Sequence, residues 1–201
     1  MSHVPLFVHD PRSPKPGLRR NALTQTIDMA PTLLDYFEVD ISSDMQGIAL
    51  KDAIASDMPT RDYALFGLHG AHVNITDGRY VYMRAPANAD NAPLYEYTLM
   101  PTHMRELFTP DELTAATLHP PLSFTKNCPV LRIPGRPWTD PHPFGTLLFD
   151  IEGDPSQSQP LNAPDVEARL TTAMEQAMSA NGAPAEQFER LGLPKPEATP
   201  L

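Results

Sequence analysis

Histidine is the residue type in this sequence with the widest chemical range, because imidazole can bind a metal or transfer a proton near neutral pH. None of the seven histidines stands in an HExxH or HxH pattern, the spacings that bring two imidazoles to one metal ion. His69 and His72 are three residues apart, and in an extended segment they would face opposite sides of the sheet. Ordinary surface or hydrogen-bonded histidines are therefore the favoured interpretation. The seven are His3, His9, His69, His72, His103, His119 and His142.

The sequence contains no recognisable pattern for an activated nucleophile. GxSxG, which exposes a catalytic serine on a tight turn, is absent, and so is the phosphate-binding pattern GxxxxGK[ST]. Cys128 is the only cysteine, which excludes an intrachain disulfide, a cysteine-based zinc site and a CxxC redox pair. The 201 residues thus carry no complete catalytic or metal-binding set of their own.

The net charge and the composition of the chain indicate which classes of binding partner and which cellular location to expect. The formal net charge of −10 repels phosphate backbones, so no nucleic acid partner is expected. No apolar run approaches membrane-spanning length, and the first residues lack a basic segment followed by a long apolar one. We therefore expect no membrane association and no signal peptide, which as the chain stands would leave it in the cytoplasm; its localisation is otherwise undetermined.

The first part of the sequence reads as the end of a larger sheet. Residues 4–8, VPLFV, form an apolar run typical of a buried strand, and residues 23–27 are predicted as a second strand. Asp28 is a suitable N-cap for a helix that begins at Met29. A doubly wound sheet needs companion strands that this segment does not supply.

The middle of the chain carries the strongest β signal. Residues 63–84 alternate apolar and polar side chains around Asp77-Gly78, a favoured two-residue hairpin turn. Residues 94–99 predict one more antiparallel strand, and Thr109 with Glu112 forms a capping box that opens a short helix.

The remainder alternates between irregular and regular segments. Residues 119–145 are rich in proline and glycine and predict little regular structure. A final strand is predicted at residues 147–151. The helix at about residues 163–180 is indicated by Val166, Leu170, Met174 and Met178, which recur every fourth residue.

These elements predict an α/β to α+β fold. Its first part is the last βα unit of a larger sheet, followed by a small antiparallel sheet with a C-terminal helix. The predicted division is residues 1–60, an incomplete end of an α/β domain, and residues 61–201, an α+β subdomain with a proline-rich tail. Strands without neighbours leave backbone edges open, so self-association through these edges is expected.

Several strings of this sequence resemble the late region of sulfatases of the alkaline phosphatase superfamily. That region has a VPL strand, a DLAPTLLD helix start, a QGxSL connector, a hairpin, and an LYDLxxDPxExxNL segment before the last helix. The corresponding strings here are HVPLFVHDP at 3–11, TQTIDMAPTLLDYF at 24–37, DMQGIAL at 44–50, GAHVNITDGRYVYMR at 70–84 and LLFDIEGDPSQSQPL at 147–161. The resemblance covers most of the chain in the right order and is weakest over residues 100–145.

The resemblance implies a C-terminal fragment of a sulfatase-type hydrolase that is inactive alone. The family's nucleophile is a formylglycine made within a C/SxPxR motif, and a divalent cation, usually calcium, is held by an early Asp-Asp pair and a later Asp-His-Gly or Asp-Asn-Gly motif. This sequence contains none of these motifs. A sulfate-ester substrate and the cation are therefore implied only for the intact parent enzyme.

Within that family the C-terminal subdomain closes one side of the substrate pocket. The resemblance thus gives His69, His72 and Lys126 a role at the rim of the pocket in an intact enzyme. A different hypothesis is a stand-alone binding or interaction module derived from the same subdomain. The DNA upstream of Met1 discriminates between them, because the fragment hypothesis requires it to encode the CxPxR and Asp-His-Gly motifs.

Overall fold

The computed structural model describes residues 4–13, 17–100, 102–103 and 106–194. The chain is a mixed α/β structure with two antiparallel sheets and a long helix near its C-terminus, and the predicted fold class is confirmed at that level. The helices are α1 (Met29–Tyr36), α2 (Lys51–Ser56), α3 (Pro110–Ala115), α4 (Pro164–Ala180) and α5 (Ala185–Arg190). The strands are β1 (Ala64–Gly67), β2 (Val73–Thr76), β3 (Tyr80–Arg84), β4 (Tyr95–Thr98), β5 (Thr117–His119), β6 (Val130–Pro134) and β7 (Leu147–Asp150).

The larger sheet and α4 enclose the main core. Its strand order is β1-β2-β3-β7, with every neighbouring pair antiparallel. One face of the sheet packs against the predicted apolar stripe of α4, which consists of Val166, Leu170, Met174 and Met178. These residues share one side of the helix because they recur about once per helical turn. The fully buried members of this core include Ile75, Tyr82, Leu170 and Met174.

The hairpin between β2 and β3 is present, but its turn is longer than the predicted two residues. Asp77, Gly78 and Arg79 separate the two strands, and Thr76 is opposite Val81 in the register. Asp77 accepts hydrogen bonds from the backbone N–H groups of Arg79 and Tyr80, which stabilise the wider turn. Gly78 has φ +94°, a conformation that favours glycine.

The second sheet corrects the prediction for residues 119–145. It has the order β4-β6-β5, and its central strand β6 lies within the segment predicted to be irregular. The signal that was missed is the run Val130 to Ile133, where Val130 and Ile133 are buried. The predicted strand at 94–99 is present as β4, but it pairs with β6 instead of extending the first sheet.

Residues 4–8 and 23–27 do not form the two predicted strands. Residues 4–8 have no regular structure and are exposed, with Phe7 92% accessible. Residues 23–25 have no regular structure, and a 3-10 helix covers Thr26–Asp28. A strand exists only beside another strand, and none of the described strands lies alongside these segments.

Helix α1 begins at Met29 as predicted, but Asp28 does not cap it through its side chain. The Asp28 carboxylate instead accepts hydrogen bonds from the backbone N–H groups of Gln25 and Ile48 and from Arg61. The predicted boundary at residue 60 remains a prediction, and this bond between Arg61 and Asp28 crosses it. Within the described part of the chain, no helix combines the length and apolar character needed to cross a membrane.

Candidate functional site

Four alternating histidine and glutamate side chains form one connected group of titratable residues. We call His69, Glu96, His103 and Glu112 the His–Glu row. The His69 Nε2 lies 3.9 Å from Glu96 Oε1, and the His103 Nδ1 lies 3.6 Å from Glu96 Oε2. The His103 Nε2 is 2.9 Å from Glu112 Oε1, within hydrogen-bonding distance. The row thus connects the β1–β2 loop, β4 and α3.

Local structure fixes the far end of the row. Glu112 belongs to the predicted capping box: its carboxylate accepts a hydrogen bond from the Thr109 N–H, and the Thr109 hydroxyl accepts one from the Glu112 N–H. The His103 ring packs edge-on against Phe108, with 4.5 Å between ring centroids. Glu96 lies on β4 opposite Ile133. Each carboxylate of the row is therefore held by a regular element.

His69 lies in the turn between β1 and β2 and is half-buried. Its Nε2 has no hydrogen-bond partner and faces Gly135, where a Cβ would come within 2.8 Å of this nitrogen. Burial lowers the pKa of His69, Glu96 acts to raise it, and the Arg190 charge lowers it further. The net direction is downward, so the imidazole is neutral at pH 7 and keeps one donor and one acceptor nitrogen.

The other two predicted rim residues lie apart from the row. His72 is 8% exposed, and its Nε2 lies 2.8 Å from the Gly145 carbonyl oxygen, to which it donates. The Lys126 ammonium is 3.0 Å from Asp44 Oδ2, and its side chain is 74% exposed. No hydrogen bond or ion pair joins His69, His72 and Lys126 to one another in the described part of the chain. Their assignment to a substrate rim remains a prediction.

A buried polar bridge supports the loop that carries both histidines. Arg190, at the end of α5, is 2% exposed and donates to the Asn91 Oδ1 at 2.8 Å and to the Ala71 carbonyl at 3.3 Å. Asn91 in turn donates to the Gly70 carbonyl at 2.6 Å. The backbone carbonyls of Gly70 and Ala71, which lie between the two histidines, are thus held by the side chains of Asn91 and Arg190.

The surface of the described residues includes two grooves that none of the three predicted rim residues lines. The first, of about 290 Å³, is lined mainly by apolar residues of the second sheet and the loop before β6: Tyr97, Thr98, Leu99, Met100, Leu122, Phe124, Thr125 and Val130. We call residues 4–13 and 17–38 the front segment. The second groove, of about 440 Å³, is more polar and lies where the front segment meets the β2–β3 hairpin; it is lined by Asn21, Ala22, Leu23, Asp57, Pro59, Arg61, Asp62, Tyr63, Asp77 and Gly78.

The described residues do not provide a fit for the divalent cation that the resemblance implies. Across residues 4–13, 17–100, 102–103 and 106–194, no three His, Cys, Asp or Glu side chains are arranged to hold a metal ion. Both nitrogens of His103 already face carboxylates, and Glu112 is engaged by Thr109. These side chains therefore provide hydrogen-bonding groups held in fixed positions, and they do not form a metal site.

Sequence reasoning missed the contacts that build this site. His103 and Glu112 were recognised separately, one as an isolated histidine and the other as a cap. For Arg190 the sequence does carry a signal: it lies between Phe188 and Leu191, which are both buried, and an arginine buried beside them needs buried acceptors.

Comparison with known proteins gives the family. Residues 1–122 match the family model described as N-sulphoglucosamine sulphohydrolase, C-terminal. The chain is 35% identical over 57 residues to an N-acetylglucosamine-6-O-sulfatase of Bacteroides thetaiotaomicron, covering 28% of this chain and 10% of that protein. It is 33% identical over 75 residues to an arylsulfatase of Clostridium perfringens, covering 35% of this chain and 15% of that protein. The matched segments thus span a small fraction of the length of both relatives.

A solved structure connected with the metabolism of multiple glycosaminoglycans by Bacteroides thetaiotaomicron matches 80% of this chain and 26% of its own, with 13% identity and a TM-score of 0.45. The family model matches more than half of the chain. The chain therefore belongs to the family of N-sulphoglucosamine sulphohydrolase C-terminal regions.

Proposed function

We propose that this chain is the C-terminal part of a sulfatase-type hydrolase of the alkaline phosphatase superfamily. The intact parent would hydrolyse sulfuric esters, and the present chain would shape one side of the substrate pocket without supplying the nucleophile or the cation. The observation that carries the proposal is the family match, because the matched model is itself a C-terminal region.

The surface of the front segment supports a larger parent. Phe7 is almost fully exposed, and Leu33 and Phe37 of the α1 region are more than half exposed. Arg12 connects this segment to α1 through an ion pair with Asp35 at 3.1 Å. Large apolar side chains exposed close together in sequence, as Leu33 and Phe37 are, are the kind of surface that an interface covers. An upstream portion of the same polypeptide is the occupant that the family match favours.

In this proposal the chain contributes binding and position. His69, His72 and Lys126 would lie on the side facing the substrate, where a neutral imidazole and an ammonium are suited to bind hydroxyl and sulfate oxygens. The chemical step belongs to residues outside this chain, because its 201 residues contain no C/SxPxR motif.

The test measures hydrolysis by the purified 201-residue chain. With 4-nitrophenyl sulfate and 4-nitrophenyl phosphate, in the presence of calcium, magnesium or manganese, we expect no turnover above background. A Cys128→Ser chain is the matched control for thiol chemistry. Metal-dependent turnover at an enzyme-like rate would overturn the proposal.

The second arm reads the DNA upstream of Met1. The proposal expects in-frame CxPxR and Asp-His-Gly motifs, directly or after one frameshift, and sulfatase activity when the joined polypeptide is expressed. Upstream DNA without these motifs would favour the stand-alone binding module instead.

A further inference from the structure

We propose that Arg190 is a positioning residue for the His69 loop, the connection between β1 and β2 at residues 68–72. It would act through Asn91 and through the carbonyl groups of Gly70 and Ala71. The inference rests on the proposed function only in placing His69 at a substrate rim. We call the hydrogen bonds that join Arg190, Asn91, Gly70 and Ala71 the clamp. The clamp is a property of this chain and can be measured without substrate.

The geometry of the clamp is specific. One guanidinium nitrogen of Arg190, Nη1, lies 2.8 Å from Asn91 Oδ1 and 3.3 Å from the Ala71 carbonyl oxygen. The Asn91 amide continues the chain of bonds to the Gly70 carbonyl. Two consecutive carbonyls of the loop are therefore held, and His69 precedes them directly.

The cost of this arrangement points to a role beyond packing. Arg190 is a buried cation whose hydrogen-bond partners in the described part of the chain, Gln187, Ala71 and Asn91, are all neutral. Burial lowers the pKa of Arg190, which reflects the cost of desolvating its charge. Asn91, which bonds both Arg190 and the Gly70 carbonyl, has a left-handed backbone with φ +53°. The cost of burying the charge is offset by these hydrogen bonds, so the bonds from Arg190 to Asn91 and Ala71 are the feature that a role for this side chain has to explain.

The charge also reaches His69. The titratable groups around its imidazole are Glu96 from β4, Arg190 from α5 and, across Glu96, His103 from the loop before α3. Arg190 opposes the effect of Glu96 and favours the neutral imidazole. Arg190 thus combines two effects, mechanical and electrostatic, and the two can be separated by mutation.

The chain offers a close control for the mechanical effect. Arg84 on β3 also extends to neutral acceptors near α5, donating to the Leu191 carbonyl at 2.9 Å and the Gly192 carbonyl at 3.3 Å. Its third acceptor is the Tyr82 hydroxyl, and among the residues that the structure describes it has no hydrogen bond to residues 68–72. Arg84→Met removes a comparable clamp from the same end of α5 but leaves the His69 loop bonded.

The experiment follows the His69 titration by NMR and the hydrogen exchange of the Ala71 amide, which is bonded to the Leu68 carbonyl. In Arg190→Met the His69 midpoint should rise, and Ala71 should exchange roughly tenfold faster, as expected for loss of a net hydrogen bond of about 1.4 kcal/mol. In Arg84→Met the His69 midpoint and the Ala71 exchange should match the wild-type chain.

Asn91→Gly separates position from charge and keeps the proposal testable if Arg190→Met fails to fold. Glycine accepts the left-handed backbone but removes both bonds of the asparagine side chain. We expect faster exchange at Ala71 with a smaller change in the His69 midpoint than in Arg190→Met. Unchanged exchange at Ala71 in Asn91→Gly, or identical behaviour of Arg190→Met and Arg84→Met, would overturn the clamp, whereas the proposed hydrolase function would stand.

Discussion

Arg61 donates a hydrogen bond to the Asp28 carboxylate at 2.7 Å, and this carboxylate is completely buried at the start of α1. A second guanidinium nitrogen pairs with the other oxygen of Asp28. Because Asp28 also accepts backbone N–H groups from Gln25 and Ile48, one side chain joins the 3-10 turn, the connector before α2 and the segment before β1. The front segment is thus attached to the rest of the chain by a planar, two-point ion pair.

Arg61→Met should destabilise the chain strongly. Removing one partner of a buried pair leaves the other charge without compensation, which costs about 3–5 kcal/mol. The matched control is Arg12→Met, which breaks the more exposed pairs with Asp10 and Asp35 and should cost no more than about 1 kcal/mol. Urea unfolding followed by circular dichroism measures both. Equal losses of unfolding free energy in the two variants would show that the buried pair of Arg61 with Asp28 stabilises the chain no more than an exposed ion pair does.

Acid should release the start of α3 through Glu112. The Thr109 N–H and then His103 lower the pKa of Glu112 from 4.5 to about 2. A carboxyl whose pKa is lower in the folded chain contributes stability above its unfolded pKa and loses it as the pH falls through the folded value. The capping box should therefore weaken progressively between about pH 4.5 and pH 2.

NMR of the Thr109 amide proton against pH checks this expectation. Glu112→Gln should remove the acid transition of that signal and weaken the cap at neutral pH. Asp111→Asn is the control, because it removes a charge from the same exposed turn without removing a bond to Thr109. A Thr109 transition that survives in Glu112→Gln would contradict the assignment.

The predictions that succeeded depend on residues close in sequence. The α4 stripe and the Thr109–Glu112 cap follow from spacings of three or four residues, and the structure has both. Strand pairing depends on partners that sequence spacing does not identify, which is why residues 4–8 were wrongly predicted as a strand and β6 was missed. The His–Glu row and the Arg190 clamp connect residues up to 119 positions apart, so no local pattern could have placed them together.

Amide hydrogen exchange should be faster near the start of the chain than in the first sheet and α4. The notable case is residues 4–8, which have no strand partner and so should exchange fastest, while residues 63–99 and 163–180 should be protected by the first sheet and α4. The sequence predicts faster exchange over all of residues 4–38, but the structure leads us to expect slower exchange around Asp28, because its buried carboxylate is bound to Arg61 and Ile48. Strong protection of residues 4–8 in a chain proven to be monomeric would mean that the domain is complete, and the fragment hypothesis would be wrong.

The same front surface should make the isolated chain self-associate. Phe7→Asp should lower the associated fraction in sedimentation velocity, because a charge within an apolar contact resists burial. Phe124→Asp changes an exposed aromatic residue near the smaller groove, distant in sequence, and serves as the control. An equal reduction by both variants would indicate general apolar association, and no reduction by Phe7→Asp would exclude this surface as the contact.

The last prediction concerns the three residues assigned to the substrate rim. In the intact parent, alanine at His69, His72 or Lys126 should raise KM more than it lowers kcat, because rim groups bind the ground state and the transition state about equally. His72→Ala also breaks the bond to the Gly145 carbonyl, so its effect has to be corrected for the folded fraction, whereas Lys126→Ala loses only the exposed pair with Asp44. Steady-state kinetics on a sulfated substrate, with Arg79→Ala as a surface control that breaks an exposed pair with Asp150, gives the comparison. A loss confined to kcat, with KM unchanged, would count against the rim assignment, because it would mean that these side chains act on the transition state alone.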